Sequence, residues 1–385
     1  MRVFIIAGEA SGDKLGAALM EGLQSLQNGV QFQGVGGPLM QSKGLQSRFP
    51  MDELSVMGIA EILPKYRHLM RRINETAEAV IAANPDVLIT IDSPDFSLRV
   101  ARRVKARTSI RTVHYVAPTV WAWRAGRAAK MAQIIDHVLA LFPFEPPYMT
   151  AAGMECDFVG HPVVAEPVAA QAEAEAFRAA HAIGDAPMML VLPGSRRGEV
   201  GRLAPVFGAA LAPVMAAHPD MRVVVPTTGN VTQAVRAATR DWPVDPVILD
   251  PEGMTPEAYA ALKRAAFKAA DMALAASGTV SLELAAADTP MVIAYDMSWL
   301  SRIIISRMLK IDTVTLVSLV SDTRIIPEFI GKNCDPAKIA PAIEAVLAHP
   351  EAQRAAMAVT MERLGKGGEA PGVRAARAVL RGLDR

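Results

Sequence analysis

The stretch "ITIDSPDFS", residues 89 to 97, sets two carboxylates, Asp92 and Asp95, just past an apolar run. Open α/β sheets bind ligands at the carboxyl ends of their strands, so Asp92 is placed to take a proton from an acceptor hydroxyl. Asp95 has a second reading, as the cap of a helix that begins near Phe96 or Ser97. A divalent ion bridging the pair is only weakly signalled. Further on, "LPGSRRGEV" (192 to 200) ends another apolar run in Gly194, Ser195 and Arg196. Small residues there let backbone approach a ligand, and a guanidinium pairs with phosphate oxygens. "ALAASGTVSLE" (273 to 283) puts Ser277, Gly278 and Thr279 at a helix start, where free N–H groups and the helix dipole suit a diphosphate. Glu283, about one turn in, is placed to accept from ribose hydroxyls.

Two more loops carry weaker signals. "AGEASGDKLG" (7 to 16) places Gly8, Ser11 and Gly12 where backbone approaches a ligand, but it matches neither the three-glycine dinucleotide fingerprint nor the P-loop. A tight strand-to-helix turn with Asp13 near the helix start is the alternative reading. "YVAPTVWAWRAGR" (115 to 127) sets Trp121 and Trp123 beside Arg124 and Arg127, as core packing or as the wall of a cleft.

These loops need strands to hold them. Short apolar runs at Val3 to Ile6, Gln31 to Gly34, Val87 to Ile91, Arg111 to Tyr115, His137 to Leu141 and Asp157 to Val159 alternate with helical patterns, which implies a mostly parallel α/β sheet. After a proline-bearing linker at 160 to 177 the alternation restarts, with strands near 188 to 192, 221 to 225, 246 to 249, 271 to 274 and 290 to 294. The 385 residues exceed what one core usually supports. The expectation is two doubly wound, Rossmann-like domains facing across a cleft, at 1–165 and 166–350, with a helical tail at 351–385.

Composition narrows the class. A net charge of +1 argues against a general nucleic-acid surface. The longest apolar runs, such as "DHVLALF" at 136 to 142, fall well below the ~20 residues of a spanning helix, so none is expected. "MRVFIIAGEASGD" lacks the parts of a signal peptide, so a cytoplasmic chain is expected. Cys156 and Cys334 are far apart, without metal or disulfide spacing. Charge is unevenly spread, however: residues 60 to 130 hold thirteen Lys or Arg against six Asp or Glu, so this region suits an anionic partner. Part of that excess lies on "SVMGIAEILPKYRHLMRRI" (55 to 73). There Ile59, Ile62, Leu63, Tyr66, Leu69, Met70 and Ile73 keep helical spacing opposite Lys65, Arg67, His68, Arg71 and Arg72. Such a helix (59–73) packs on its own sheet or lies on an anionic membrane surface, and Pro64 must sit in its first turn or kink it.

Taken together, "AGEASGD", "MGIAEILP", "DSPDF", "HYVAPTVWAWR", "VGHP", "LPGSR" and "ASGTVSLE" resemble, in order, the lipid-A-disaccharide synthase family. The resemblance implies a GT-B fold and an inverting transfer that uses neither metal nor cofactor. UDP-2,3-diacylglucosamine would be the donor, held by the C-terminal domain, and 2,3-diacylglucosamine 1-phosphate (lipid X) the acceptor. It implies Asp92 as base and Arg196, Ser277 to Thr279 and Glu283 as donor contacts. It also implies work at the inner face of the inner membrane, with self-association possible. One departure stands out. Where many relatives carry Leu-Pro-Asn this chain has Leu316-Val317-Ser318, so Ser318 cannot repeat an amide's paired donor and acceptor, whereas Glu328 in the following "PEF" matches. Another UDP-sugar enzyme of this architecture, a 2-epimerase or a polyprenyl-linked acceptor transferase, would share the donor loops. A non-catalytic nucleotide-binding membrane protein would share the basic helix.

Overall fold

The structure, a computed structural model, describes residues 1–54, 59–121, 126–297 and 312–384, without the side chains of 59–65. Strands such as "VFIIA" and "VLITI" are apolar throughout because both faces are covered, the mark of a parallel sheet between helices. In chain order the first part runs β1 (Arg2–Ala7), α1 (Ala10–Leu26), β2 (Gln31–Val35), α2 (Pro38–Ser42), β3 (Gln46–Ser47), α3 (Ile59–Ala83) and β4 (Val87–Ile91). It continues through α4 (Pro94–Lys105), β5 (Arg111–Tyr115), α5 (Gly126–Met131), β6 (His137–Ala140), α6 (Pro146–Thr150) and β7 (Glu155–Phe158).

The later part begins α7 (Gln171–Ala180), β8 (Met188–Leu192), α8 (Arg197–Ala217), β9 (Arg222–Pro226), α9 (Thr232–Ala238), β10 (Val247–Leu249) and α10 (Pro256–Ala269). Then come β11 (Met272–Ala275), α11 (Val280–Ala287), β12 (Met291–Tyr295), α12 (Leu316–Ser321) and β13 (Glu328–Ile330). The helices α13 (Pro336–Ala348), α14 (Glu351–Arg363) and α15 (Pro371–Leu383) close the chain.

Two compact units result, Met1–Ala165 with Leu364–Arg385, and Glu166–Arg363. The segment 351–385, expected as a tail of its own, is therefore divided. In the second unit α14 packs on α11 and α12, while α15 lies on α1 in the first. The α1 and α15 backbones nearly touch: a Cβ on Gly22 would fall 2.5 Å from the Gly372 carbonyl oxygen. Arg374 donates to the Phe158 carbonyl at 2.9 Å and Arg381 pairs with Asp157 at 2.9 Å. Larger side chains at Gly22 or Gly372 would push this helix off.

Each unit holds one sheet, parallel at every pairing. The first has order β3-β2-β1-β4-β5-β6-β7 and the second β10-β9-β8-β11-β12-β13. Strand order reverses between β1 and β4 in one and between β8 and β11 in the other. A ligand crevice opens at such a reversal, beyond the carboxyl ends of the strands. The loops after β1, β4, β8 and β11 are the ones that carry Gly8, Asp92, Arg196 and Gly278.

Among the described residues α8 alone has the length and apolarity of a membrane span, contrary to the expectation that nothing would. Its Val200, Leu203, Phe207, Leu211 and Val214 are buried in the core of the second unit, which accounts for the composition.

Candidate functional site

In the first unit the glycines after β1 are hemmed in by protein. A Cβ on Gly8 would lie 2.5 Å from the Ser93 hydroxyl, and one on Gly12 would lie 3.3 Å from Ala7 Cβ and 3.5 Å from Ile91 Cγ2. Both therefore allow α1 and the loop after β4 to close on the sheet. Ser11 is exposed on the first turn of α1. Asp13 is a structural anchor, buried with its carboxylate accepting from the N–H groups of Gly37 (2.9 Å), Leu39 (2.9 Å) and Met40 (3.0 Å). It caps α2 from a distance.

The edge beside it is strained. Asp92 (φ 47) and Ser93 (φ 44) are consecutive left-handed residues, and Val116, just past β5, has φ 84. Aspartate tolerates this region, whereas a β-branched valine does not, and each such residue costs roughly 1–3 kcal/mol. The Asp92 N–H still bonds the Tyr115 carbonyl at 3.0 Å, and the Val116 N–H the Leu139 carbonyl at 3.0 Å. The ladder holds to its last rung and the chain then turns sharply, leaving Asp92 half-buried at the mouth of a pocket of about 510 Å³. Asp95 lines the same pocket. It caps nothing: α4 begins at Pro94 with Ser93 in the cap position, and Asp95 sits exposed in its first turn.

A partly buried aromatic and titratable cluster gathers among the residues that follow β5 and β6. Trp121 meets Phe144 edge-on at 5.1 Å, Phe144 stacks on Phe142 at 5.4 Å, and Phe142 tilts against His161 at 5.3 Å. Trp121 is thus a packing residue, and Trp123 falls outside the described residues. Glu145, 2% exposed, accepts from the N–H groups of Leu141 and Phe142, each at 3.0 Å. Burial pushes it up to about 7, against the pull of those bonds and of the Trp121 indole. Burial likewise lowers His114 and His161 to about 4, so both are neutral. His114 shares a 2.8 Å hydrogen bond with the Thr90 hydroxyl.

The basic helix is more committed to its own unit than its sequence suggests. Pro64 falls at the sixth position of α3, past the first turn. Ile73 is buried and Leu69 and Met70 pack on the core, but Tyr66, counted with the apolar stripe, is 47% exposed. Arg72 bonds the Glu53 carboxylate twice (2.7 and 3.0 Å) and Glu75 at 2.9 Å, and His68 reaches Glu53 at 2.6 Å. Arg71 pairs with Glu75 at 3.7 Å, whereas Arg67 is exposed.

In the second unit the loops after β8 and β11 share a pocket of about 590 Å³ with α10. Gly194 needs its φ of +113, and a Cβ there would strike the Glu199 carboxylate at 2.6 Å. That carboxylate is the organiser of the loop. It accepts from the N–H groups of Ser195 (3.1 Å) and Arg196 (3.3 Å), and its other oxygen takes the Arg196 guanidinium at 2.9 Å. Arg196 itself is exposed. Opposite, Gly278 has φ +152 with open space around it, and Thr279 stands at the head of α11 behind Ser277. Glu283 is paired with Lys263 of α10 at 2.6 Å, and the Tyr259 hydroxyl accepts the Thr227 N–H at 3.0 Å beside the Leu249 carbonyl at 3.1 Å.

Ser318 and Glu328 are not brought to this pocket. Ser318 is fully buried on α12, its hydroxyl without a partner among the described residues. The Glu328 carboxylate accepts from the Thr313 hydroxyl and from the N–H groups of Val314 (2.9 Å) and Thr315 (3.1 Å), which ties β13 to the segment before α12. No group of three or more His, Cys, Asp or Glu gathers as a metal site among the described residues. Glu199, Lys263, Tyr259 and Glu145 were not singled out in the sequence. Only Glu199 had a signal there, an acidic residue three positions after the cap of an apolar helix.

A family model described as lipid-A-disaccharide synthetase matches residues 3–380. The chain belongs to this family. It is 66% identical over 380 residues to the lipid-A-disaccharide synthase of Ruegeria pomeroyi, covering 99% of this chain and 95% of that relative. Identity to the enzyme of Rhodospirillum centenum is 46% over 384 residues, 98% of this chain and 94% of the relative. Membership makes the chain a glycosyltransferase of lipid A biosynthesis. Among solved structures it resembles the UDP-GlcNAc 2-epimerase from Neisseria meningitidis bound to UDP-GlcNAc, with a TM-score of 0.63 at 12% identity over 100% of this chain and 99% of that one. The Methanocaldococcus jannaschii enzyme gives 0.60 at 14% identity, with coverage of 100% and 99%. At these identities the likeness is one of fold, two Rossmann-like domains of the GT-B kind.

Proposed function

We propose that the chain joins UDP-2,3-diacylglucosamine to 2,3-diacylglucosamine 1-phosphate, giving the β-1,6-linked disaccharide 1-phosphate and UDP. The family match over residues 3–380 carries this reading. Asp92 takes the proton of the acceptor 6-hydroxyl as that oxygen bonds to the donor's anomeric carbon. The bond to UDP breaks on the opposite face, so the configuration inverts. Support for Asp92 comes from its place at the strand-order reversal, in a backbone conformation that only surrounding structure can maintain. Arg196 and the amides at the head of α11 neutralise the departing diphosphate, and the free oxygen of Glu283 meets the ribose.

Both substrates carry acyl chains, so the chain works at a membrane surface, on the cytoplasmic side of the inner membrane. Exposed Tyr66 and Arg67 on α3 support this. His68, Arg71 and Arg72 contribute less, being engaged with Glu53 and Glu75. Incubating the protein with donor and acceptor and following UDP and disaccharide tests the function directly. UDP formed without disaccharide, or no consumption of donor, would sink it.

A further inference from the structure

The positive charge between residues 60 and 130 is not uniform once its partners are known. Lys105 pairs with Asp136, Arg107 with Glu78, Arg111 with Glu155 and Arg72 with Glu53. Among the described cations that have no acid partner are Arg99, whose guanidinium meets only the Met70 sulfur at 3.7 Å, Arg102, Arg127 and Lys130. All four line the pocket into which Asp92 opens.

Helical spacing explains the convergence. On α4, Asp95, Leu98, Arg99 and Arg102 stand three, four and seven positions apart, hence on one face, and Arg127, Lys130 and Met131 repeat that spacing on α5. Leu98, Met131 and Ile134 put apolar surface between the cations. The pocket therefore offers three chemistries: a carboxylate at the strand edge, unneutralised cations along two helices, and hydrocarbon between them. An uncharged sugar would leave the cations idle, and a bare anion would use neither Asp92 nor the apolar lining. From Asp95 to Arg102 is two helical turns, about 10 Å. In the acceptor the anomeric carbon and the carbon that bears the hydroxymethyl arm flank the same ring oxygen, so a phosphate on the one lies no farther than that from the hydroxyl on the other.

We infer that Arg102, Arg127 and Lys130 bind the phosphomonoester of the acceptor, with the start of an acyl chain against Leu98, Met131 and Ile134. The inference rests on Asp92 being the base, since that fixes which end of the acceptor lies at the strand edge. The cations then select a phosphorylated acceptor over the same lipid without its phosphate.

The test compares kcat/KM for 2,3-diacylglucosamine 1-phosphate and for its dephosphorylated analogue, in neutral detergent, for the wild type, Arg102→Ala and an Arg127→Ala, Lys130→Ala double variant. The variants should lose about tenfold or more on the phosphorylated acceptor and little on the analogue, while UDP affinity stays unchanged. Equal losses on both acceptors would point to damaged structure and overturn the inference. An intact preference in detergent, with weaker binding only to phosphatidylglycerol vesicles, would assign the cations to membrane headgroups and overturn it too. Near-normal turnover of Asp92→Asn would instead remove the reading beneath it, an outcome distinct from either.

Discussion

The two strand-order reversals solve the same problem with different materials. In the first unit the turn after β4 is made by Asp92 and Ser93 in left-handed conformation and the one after β5 by Val116, whereas in the second the turns fall on Gly194 and Gly278. Charge follows the same division. The first pocket keeps four cations without acid partners, while in the second Arg196 leans on Glu199 and Lys263 on Glu283. Titration sets them apart as well: the groups that burial perturbs most, His114, Tyr115, Glu145, Cys156 and His161, all belong to the first unit. The second pocket is thus relaxed and internally neutralised, as suits the diphosphate release proposed for it. The first stores strain and unbalanced charge where the proposed proton transfer would take place.

Removing the group on the strained side should have the largest effect. Asp92→Asn is expected to cut transfer by about 10²–10⁴-fold while leaving UDP affinity, measured by calorimetry, within a few-fold. Next comes pH. The fold holds the Glu145 proton up to about pH 7 while the unfolded chain releases it near 4.5, so the folded state binds more protons between these values. Stability from this group is complete at low pH, falls as pH rises through that window and is level above it, by about 3 kcal/mol in all. Relative to wild type, Glu145→Gln should therefore gain stability from pH 4.5 to 7 in urea unfolding; a constant difference would deny the burial effect.

On the relaxed side, Arg196→Ala should weaken UDP binding by roughly 10–100-fold, and an unchanged titration would remove its phosphate role. The contrast in turns is sharpened by exchanging their materials: Ser93→Gly should stabilise the protein by up to about 1 kcal/mol, and Gly278→Ala should destabilise it by a similar amount. Changes of the same sign would erase the distinction. Smallest is Glu199→Gln. The Gln oxygen can still accept from Ser195 and Arg196, so only the charge beside the exposed guanidinium is removed; UDP binding should tighten by at most about fivefold, whereas a purely structural role for that charge predicts weakening.

Strands were legible wherever burial on both faces gave unbroken apolar runs: Val87–Ile91, Arg111–Tyr115 and Met188–Leu192 fall where the sequence places them. The short β3 and β13 were not, because Gln46–Ser47 and Glu328–Ile330 are strands only by virtue of the neighbour they pair with. The loops were found from glycine, proline and charge at strand ends, but their internal partners were not. Lys263 reaches Glu283 twenty residues away, and Glu53 collects Arg72 from a different element. No local pattern announces such pairs. Gly8 and Gly12 show a second ambiguity, since a glycine that admits Ser93 or Ile91 looks, in sequence, the same as one that admits a ligand.

The return of the chain end to α1 bears on how the molecule is made. With α15 supplied from beyond the rear unit, the front unit cannot finish until residues 371–383 have been made, by which point the rear unit already has its whole sequence. Until then the Ala18 and Gly22 side of α1 stays bare. Loss of α15 would wound the half that is synthesised first.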